Sequence, residues 1–280
     1  MMRRVFEAAL AAMALCAPLI LPAVTWAEPR DSSGLRRLDT IEAGRGWEAV
    51  GRLDRWGEGF CTGALIAPDL VLTAAHCLFD RNTHAKIDPT SVEFLAGWRN
   101  GRASAYRTVK RAIVHPDYVF DGELSAARVR NDLALLQLDR PIRNTTVLPF
   151  ETDRRPNKGA EVGVVSYAHD RDNAPSLQEV CGVMSRQSGV LVLSCDVDYG
   201  SSGAPVFSFE HDMPRIVSVV SAKARVNGEE VSLGVSLDKE LALLRAQVED
   251  AAGVRSMPTG VGRVQVGGPR NNTGAKFIRN

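Results

Sequence analysis

"FCTGALIAPDLVLTAAH", residues 60–76, decides how the rest of the chain is read. Two short apolar runs flank Pro68 and Asp69, and His76 closes the second. Runs this short, punctuated by Gly, Pro and Asp, read as β-strands joined by tight turns. "WEAVGRL" precedes them, and "SVEFLAGW", "YRTVKRAIVH" and "DLALLQL" follow. A second series begins near Gly159 with "AEVGVVSYA", "EVCGVMSR", "GVLVLSC", "APVFSF", "RIVSVVSA" and "EVSLGVSL". Short strands at this spacing predict an all-β barrel or sandwich architecture. Between the two series, Arg140 to Lys158 holds three prolines and several charges and reads as a connector. No internal repeat is visible. After Ser236 the pattern changes: Leu237, Leu241, Leu244 and Val248 fall at helical spacing. Asp238 and Glu240 suit a first turn and Gly253 an end, so a closing helix is expected.

The chain has 280 residues, a formal net charge of +1, and is 45% hydrophobic and 24% charged. That is an ordinary globular balance, and it gives no reason to expect a nucleic-acid partner. The basic stretch from Arg255 to Asn280, with five Lys/Arg and no acid, is rich in Gly and Asn and reads as a solvated tail. At the other end Arg3 and Arg4 precede the apolar run "AALAAMALCAPLILPAV", with Thr25 and Ala27 as small residues before a cut. This reads as a signal peptide cleaved near Ala27. The run is short and broken by Pro18 and Pro22, so no stable membrane anchor is expected after cleavage. A secreted or periplasmic location follows. Cys16 would leave with the signal, which leaves Cys61, Cys77, Cys181 and Cys195. An even number in an exported protein implies two disulfides, with three possible pairings. The local pairing closes two short loops, each worth about 3 kcal/mol in the chain-entropy model. A metal site is the alternative, but no C-x-x-C or paired-His spacing supports it; neither metal nor cofactor is expected.

The chemistry centres on "VDYGSSGAPVF", residues 197–207. A serine hydroxyl needs a base within reach and an orienter for that base. Of the five histidines, His84 and His115 sit in polar, turn-like contexts and read as solvated, and His169 and His211 are loop-like. His76 ends an apolar strand beside a cysteine and is the candidate base. Asp132, opening "DLALLQL", is the candidate carboxylate; a turn cap is its alternative role. Gly200 and Gly203 permit a tight turn whose N–H groups face a concavity, which suits an oxyanion. The G-x-S-x-G elbow of α/β-hydrolases fails: "GSSGA" ends in Ala204, and only His211 lies downstream. The order His76, Asp132, Ser202 remains.

"GALIAPDLVLTAAHC", "NDLALLQL" and "GSSGAPVF" resemble the three signature blocks of trypsin-like, chymotrypsin-fold serine proteases of the bacterial secreted type. The resemblance spans roughly Trp47 to Val248. It implies two antiparallel six-stranded β-barrels with the active site between them and a C-terminal helix. It also implies His76 as general base, Asp132 as its orienter and Ser202, the second serine, as nucleophile. Gly200 and Ser202 N–H groups would form the oxyanion hole. Ser221, Ala222 and Lys223 would pair with substrate as an added strand. By count from Ser202, Asp196 would be a buried carboxylate at the base of a specificity pocket. Cys61–Cys77 and Cys181–Cys195 match disulfides of the family. The implied layout is a signal peptide over 1–27, an extension over 28–46 and a first barrel over 47–145. A second barrel with its helix would cover 146–254, and a tail 255–280. Ser201 stands where many members have an Asp that pairs with a new N-terminal ammonium, and no Ile-Val-Gly-Gly start is present. The expected activity is that of a monomeric serine endopeptidase on protein or peptide substrates. The alternative is a non-catalytic, protease-like binding protein.

Overall fold

A computed structural model describes residues 34–55, 59–121, 123–154, 156–211 and 213–251. The signal peptide, residues 28–33 of the extension and the tail lie outside the described residues. Six strands close the first barrel: β2 (Val50–Asp54), β3 (Phe60–Ala67), β4 (Leu70–Thr73), β5 (Glu93–Ala96), β6 (Ala105–Val114) and β7 (Ala134–Leu138). Their order around the ring is β2-β3-β4-β7-β6-β5, all neighbours antiparallel. β4 and most of β3 and β7 are buried along their whole length, as strands covered on both faces are.

The second barrel runs β8 (Glu161–Ala168), β9 (Arg171–Gln187), β10 (Val190–Leu193), β11 (Pro205–Ser208), β12 (Arg215–Val226) and β13 (Glu229–Ser236). Its ring order is β9-β10-β13-β12-β11-β8, closed by the pairing of β8 with β9. The fold is thus two six-stranded antiparallel barrels. A further strand, β1 (Leu35–Arg37), pairs with β9 outside the ring. Residues 35–37 therefore pair with the second barrel, although they lie in the segment read as an N-terminal extension, 28–46. β9 is 17 residues long and serves two neighbours on one edge, β1 at Ser176–Gln178 and β10 beyond Val183. Its polar opening, Arg171 to Asn173, gives no strand signal in the sequence.

The barrels meet at an aromatic seam. Trp47 lies 5.1 Å from Phe207 of β11, edge to face, and Phe150 lies 4.8 Å from Phe207. Such contacts add to the apolar burial that holds the two units together. The C-terminal helix forms as expected, over Asp238–Ala251. Leu237, Leu241 and Leu244 are buried, Val248 packs on the same core, and the helix rests on β6 and β7 of the first barrel. The helix thereby ties the end of the second barrel to the first. Leu244→Ala should destabilise the fold by about 3 kcal/mol, read as a lower midpoint in a denaturant titration. A short helix, α1 (Ala126–Arg130), precedes β7 and is capped by Ser125 Oγ accepting from Arg128 N–H at 3.1 Å. Five residues are too few to show a helical period, so the sequence does not announce it.

Candidate active site

His76 stands on a 3-10 turn, Ala75–Leu78, directly after β4. Its backbone N–H donates to Asp132 Oδ1 at 2.8 Å, and its Nδ1 faces Asp132 Oδ2 at 2.7 Å. Asp132 is 2% exposed. Facing a carboxylate, the ring donates from Nδ1, which leaves Nε2 as the nitrogen not engaged by Asp132. Asp132 sits between α1 and β7, with its N–H on Val129 O and the neighbouring Asn131 side chain donating to Asp117 O at 3.0 Å. These bonds fix the turn that delivers the carboxylate.

Asp132 has a third donor. Ser221 Oγ donates to Asp132 Oδ2 at 2.5 Å. The pairing of β12 with β13 slips between Val220 and Ala222, which leaves Ser221 without a cross-strand partner. A bulge of this kind re-aims one side chain out of the pleat, and here it turns Ser221 across the barrel interface onto Asp132. The sequence marks Ser221 only as the start of a strand; nothing in it signals the slip. Ala222 and Lys223 follow on the same strand and line the depression beside Ser202. Lys223 Nζ pairs with Glu230 at 2.9 Å, which holds the lysine above its ordinary pKa.

Ser202 lies on the loop between β10 and β11, and that loop is stitched to both barrels. Thr62 N–H, in β3, donates to Ser202 O at 2.8 Å, and Thr62 Oγ1 donates to Gly200 O at 2.8 Å. Gly203 N–H donates to Val220 O at 2.8 Å, one residue before Ser221. Next to Thr62, Cys61 is joined to Cys77, which follows His76. The second disulfide, Cys181–Cys195, ties β9 to the start of the loop. The His76 ring nitrogen and the Cys61 and Cys77 sulfurs lie within 4.8 Å of one another, but disulfide sulfurs have no thiolate to offer a metal.

The two serines are in different environments. Ser201 is 0% exposed, and its hydroxyl is engaged by Tyr167 O and Ser166 Oγ at 3.2 Å and by Asp198 N–H at 3.3 Å. Ser202 is partly exposed, and among the described residues its hydroxyl makes no hydrogen bond, the imidazole included. The structure thus joins His76, Asp132 and Ser221 in one bonded cluster, with Ser202 beside it. Among the described residues, the N–H groups of Gly200 and Ser202 donate to no protein acceptor, while those of Ser201, Gly203 and Ala204 do. Two uncommitted donors beside a serine suit a developing negative charge.

Gly200 and Gly203 are indispensable to this turn. Both have positive φ, +98° and +79°. A Cβ on Gly200 would lie 2.3 Å from Phe60, and one on Gly203 would lie 2.1 Å from Thr73 Oγ1 and 2.3 Å from Thr62 O. Gly203→Ala should cost about 3 kcal/mol from backbone strain and overpacking, seen as a fall in Tm of about 10 °C for a chain of this size.

Asp196 departs from its expected place. Cys195 and Val197 are each 3% exposed, and the extended run between them turns Asp196 outward into solvent. Its N–H donates to Gln178 Oε1 at 2.8 Å, which locks that orientation. Val197 and Asp198, not Asp196, line the depression beside Ser202. His115 also differs from the solvated reading. It is 4% exposed, accepts from Asp117 N–H at Nδ1, and burial pushes its pKa down.

Comparison with known proteins agrees with this architecture. The family model described as Trypsin matches residues 41–236. The chain is 25% identical over 171 residues to a glutamyl endopeptidase of Bacillus licheniformis, covering 61% of this chain and 52% of that protein. It is 29% identical over 164 residues to mouse serine protease 23, covering 52% and 42% of the two. The chain thus spans about half the length of the curated relatives it matches. A solved Glu endopeptidase in complex with MPD superposes with a TM-score of 0.64 at 18% identity, covering 77% of this chain and 96% of that one. With a family model matched across both barrels, and the same fold in a solved structure, the chain belongs to the trypsin family.

Proposed function

We propose that the protein is a serine endopeptidase that hydrolyses peptide bonds through a Ser202 acyl-enzyme, with a His76–Asp132–Ser202 triad. The observation that carries this reading is the double hydrogen bond from His76 to a buried Asp132, set beside an accessible Ser202 flanked by two free N–H donors. His76 Nε2 takes the Ser202 proton as Oγ attacks the scissile carbonyl. Asp132 keeps the other ring proton on Nδ1 and stabilises the imidazolium that forms. The Gly200 and Ser202 N–H groups receive the tetrahedral oxyanion. The imidazolium then protonates the leaving amine, and a water activated by the same ring hydrolyses the ester. Ser221, by its bond to Asp132, is a positioning residue. Ser221 to Lys223 pair with the substrate backbone on the acyl side.

The same reading makes the enzyme an exported monomer, secreted or periplasmic, that acts on proteins or peptides without a cofactor. Residues 1–27 are its signal peptide, and 47–145 and 146–254 are its two catalytic halves. Its two disulfides suit an oxidising compartment. Ser201 offers no carboxylate to a new N-terminal ammonium, so activity does not depend on such a cut; its hydroxyl bonds internally instead.

Hydrolysis of a protein substrate such as casein tests the reading. Activity should vanish on treatment with a fluorophosphonate and persist in a metal chelator. Activity that the chelator abolishes and the fluorophosphonate spares would refute it. A protein that neither cleaves nor reacts would be the binding protein of the alternative.

A further inference from the structure

Three depressions meet around His76 and Ser202, and Arg81 lines all of them. One is bordered by Ser202 and Lys223, one by His76 and Gly200, and one by His76, Asp132 and Ser221. Arg81 is exposed, and its guanidinium lies 5.6 Å from the Tyr199 ring centroid. Among the described residues it has no ion-pair or hydrogen-bond partner. An arginine at the lip of a reactive cleft with no counter-charge is available to a ligand.

The third depression, about 320 Å³ in volume, holds a second such cation, Arg128. Arg128 Nη1 donates to the Glu123 carbonyl at 2.7 Å, and its guanidinium lies 4.9 Å from the Phe120 ring centroid. Among the described residues no carboxylate pairs with it. Asp132 is the one acid in this lining, and its two oxygens already accept from His76 N–H, His76 Nδ1 and Ser221 Oγ. His84, its ring 5.2 Å from that of Phe120, adds an imidazole to the lining, and Phe120, Leu124, Val129 and Ala222 supply its apolar part. The neighbouring depression at Ser202 is balanced by comparison: Lys223 is paired with Glu230, and Asp198 stands nearby. The charge excess therefore lies beside His76. Two arginines bordering a partly apolar hollow complement a carboxylate on a short aliphatic stem.

The substrate register follows from the strand at Ser221–Lys223. Successive side chains of an extended peptide point to opposite faces. If the residue bearing the attacked carbonyl fills the depression at Ser202, the residue before it faces the hollow at His76. We propose that Arg81 and Arg128 are specificity-determining residues that select Glu or Asp as the second residue on the acyl side of the scissile bond. The proposal rests on the serine endopeptidase reading.

The test uses matched fluorogenic peptides that differ only at that residue, carrying Glu, Gln or Lys, with the cleaved bond identified by mass spectrometry. Glu should exceed Gln in kcat/KM by about tenfold at low salt. The ratio should shrink toward about twofold in ~0.5 M NaCl, because screening then acts over a few ångströms. The Arg81→Gln, Arg128→Gln double variant should bring the Glu/Gln ratio close to one, and Arg81→Glu should turn the preference toward Lys. A ratio near one in the unaltered protein, or one that survives in the double variant, overturns the selectivity. Cleavage of the Gln peptide and fluorophosphonate labelling would then show that the protease reading still stands. No cleavage of any peptide together with no labelling removes both.

Discussion

Ser202→Ala should lower kcat by about 10⁶-fold, to the residual catalysis that binding and the oxyanion donors supply alone. The loss is chemical, not structural. Ser202 is partly exposed, its hydroxyl holds no other group in place, and its backbone carbonyl, which accepts from Thr62 N–H, is retained in the variant. Tm should stay within about 2 °C, consistent with a surface substitution that leaves no buried group unpaired. The neighbouring serine gives the opposite profile. Ser201→Ala strips a buried hydroxyl from Tyr167 O, Ser166 Oγ and Asp198 N–H. That should cost about 1–3 kcal/mol in stability while the variant still turns over. Steady-state kinetics beside thermal unfolding separate the two. Turnover lost in Ser201→Ala and kept in Ser202→Ala would reverse the assignment.

Asp132→Asn should lower kcat by about 10⁴-fold, or about 5.5 kcal/mol of transition-state stabilisation. The hydrogen bonds around Asp132 show why. Three donors converge on its two oxygens: His76 N–H on one, His76 Nδ1 and Ser221 Oγ on the other. An amide keeps one acceptor and turns the other into a donor. If the NH₂ faces the ring, Nδ1 must accept, the ring proton moves to Nε2, and the bare nitrogen that the proposed mechanism uses as its base is lost. If the NH₂ faces the His76 backbone, two donors oppose each other in a site 2% exposed, and the turn carrying the imidazole shifts. Either outcome disables the base, and far-UV circular dichroism should show the barrels intact. A variant that keeps more than about a tenth of the kcat would mean that Asp132 is a turn cap and not the orienter.

Much of this was legible in the sequence because each feature is written locally. The strands from Val50 to Leu138 and from Glu161 to Ser236 are short apolar runs between turn residues, and the helix from Asp238 carries its own period. His76, Asp132 and Ser202 each sit in a recognisable block. What escaped depends on register and on partners far along the chain. β1 has three residues and exists because β9 offers it an edge. The Ser221 contact exists because β12 slips against β13 at one residue, which no local pattern records. Asp196 points to solvent and not into a pocket, because counting back from Ser202 fixes a position along the loop and not the direction of a side chain. The alternation of buried Cys195 and Val197, with the Gln178 contact, decides that direction. His115 reads as solvated because Pro116 and Asp117 follow it as a turn, but its N–H donates to Leu133 O, just before β7, and that distant partner is not marked beside it in the sequence.

The central claim is that one hydroxyl, at Ser202, is made nucleophilic by the imidazole of His76. Mass-spectrometric mapping of a fluorophosphonate adduct tests it most directly. The predicted result is one adduct per chain, carried by Ser202, absent from His76→Ala and from Ser202→Ala. An adduct on Ser201 or on any other side chain, or labelling of Ser202 that is undiminished in His76→Ala, would contradict the account.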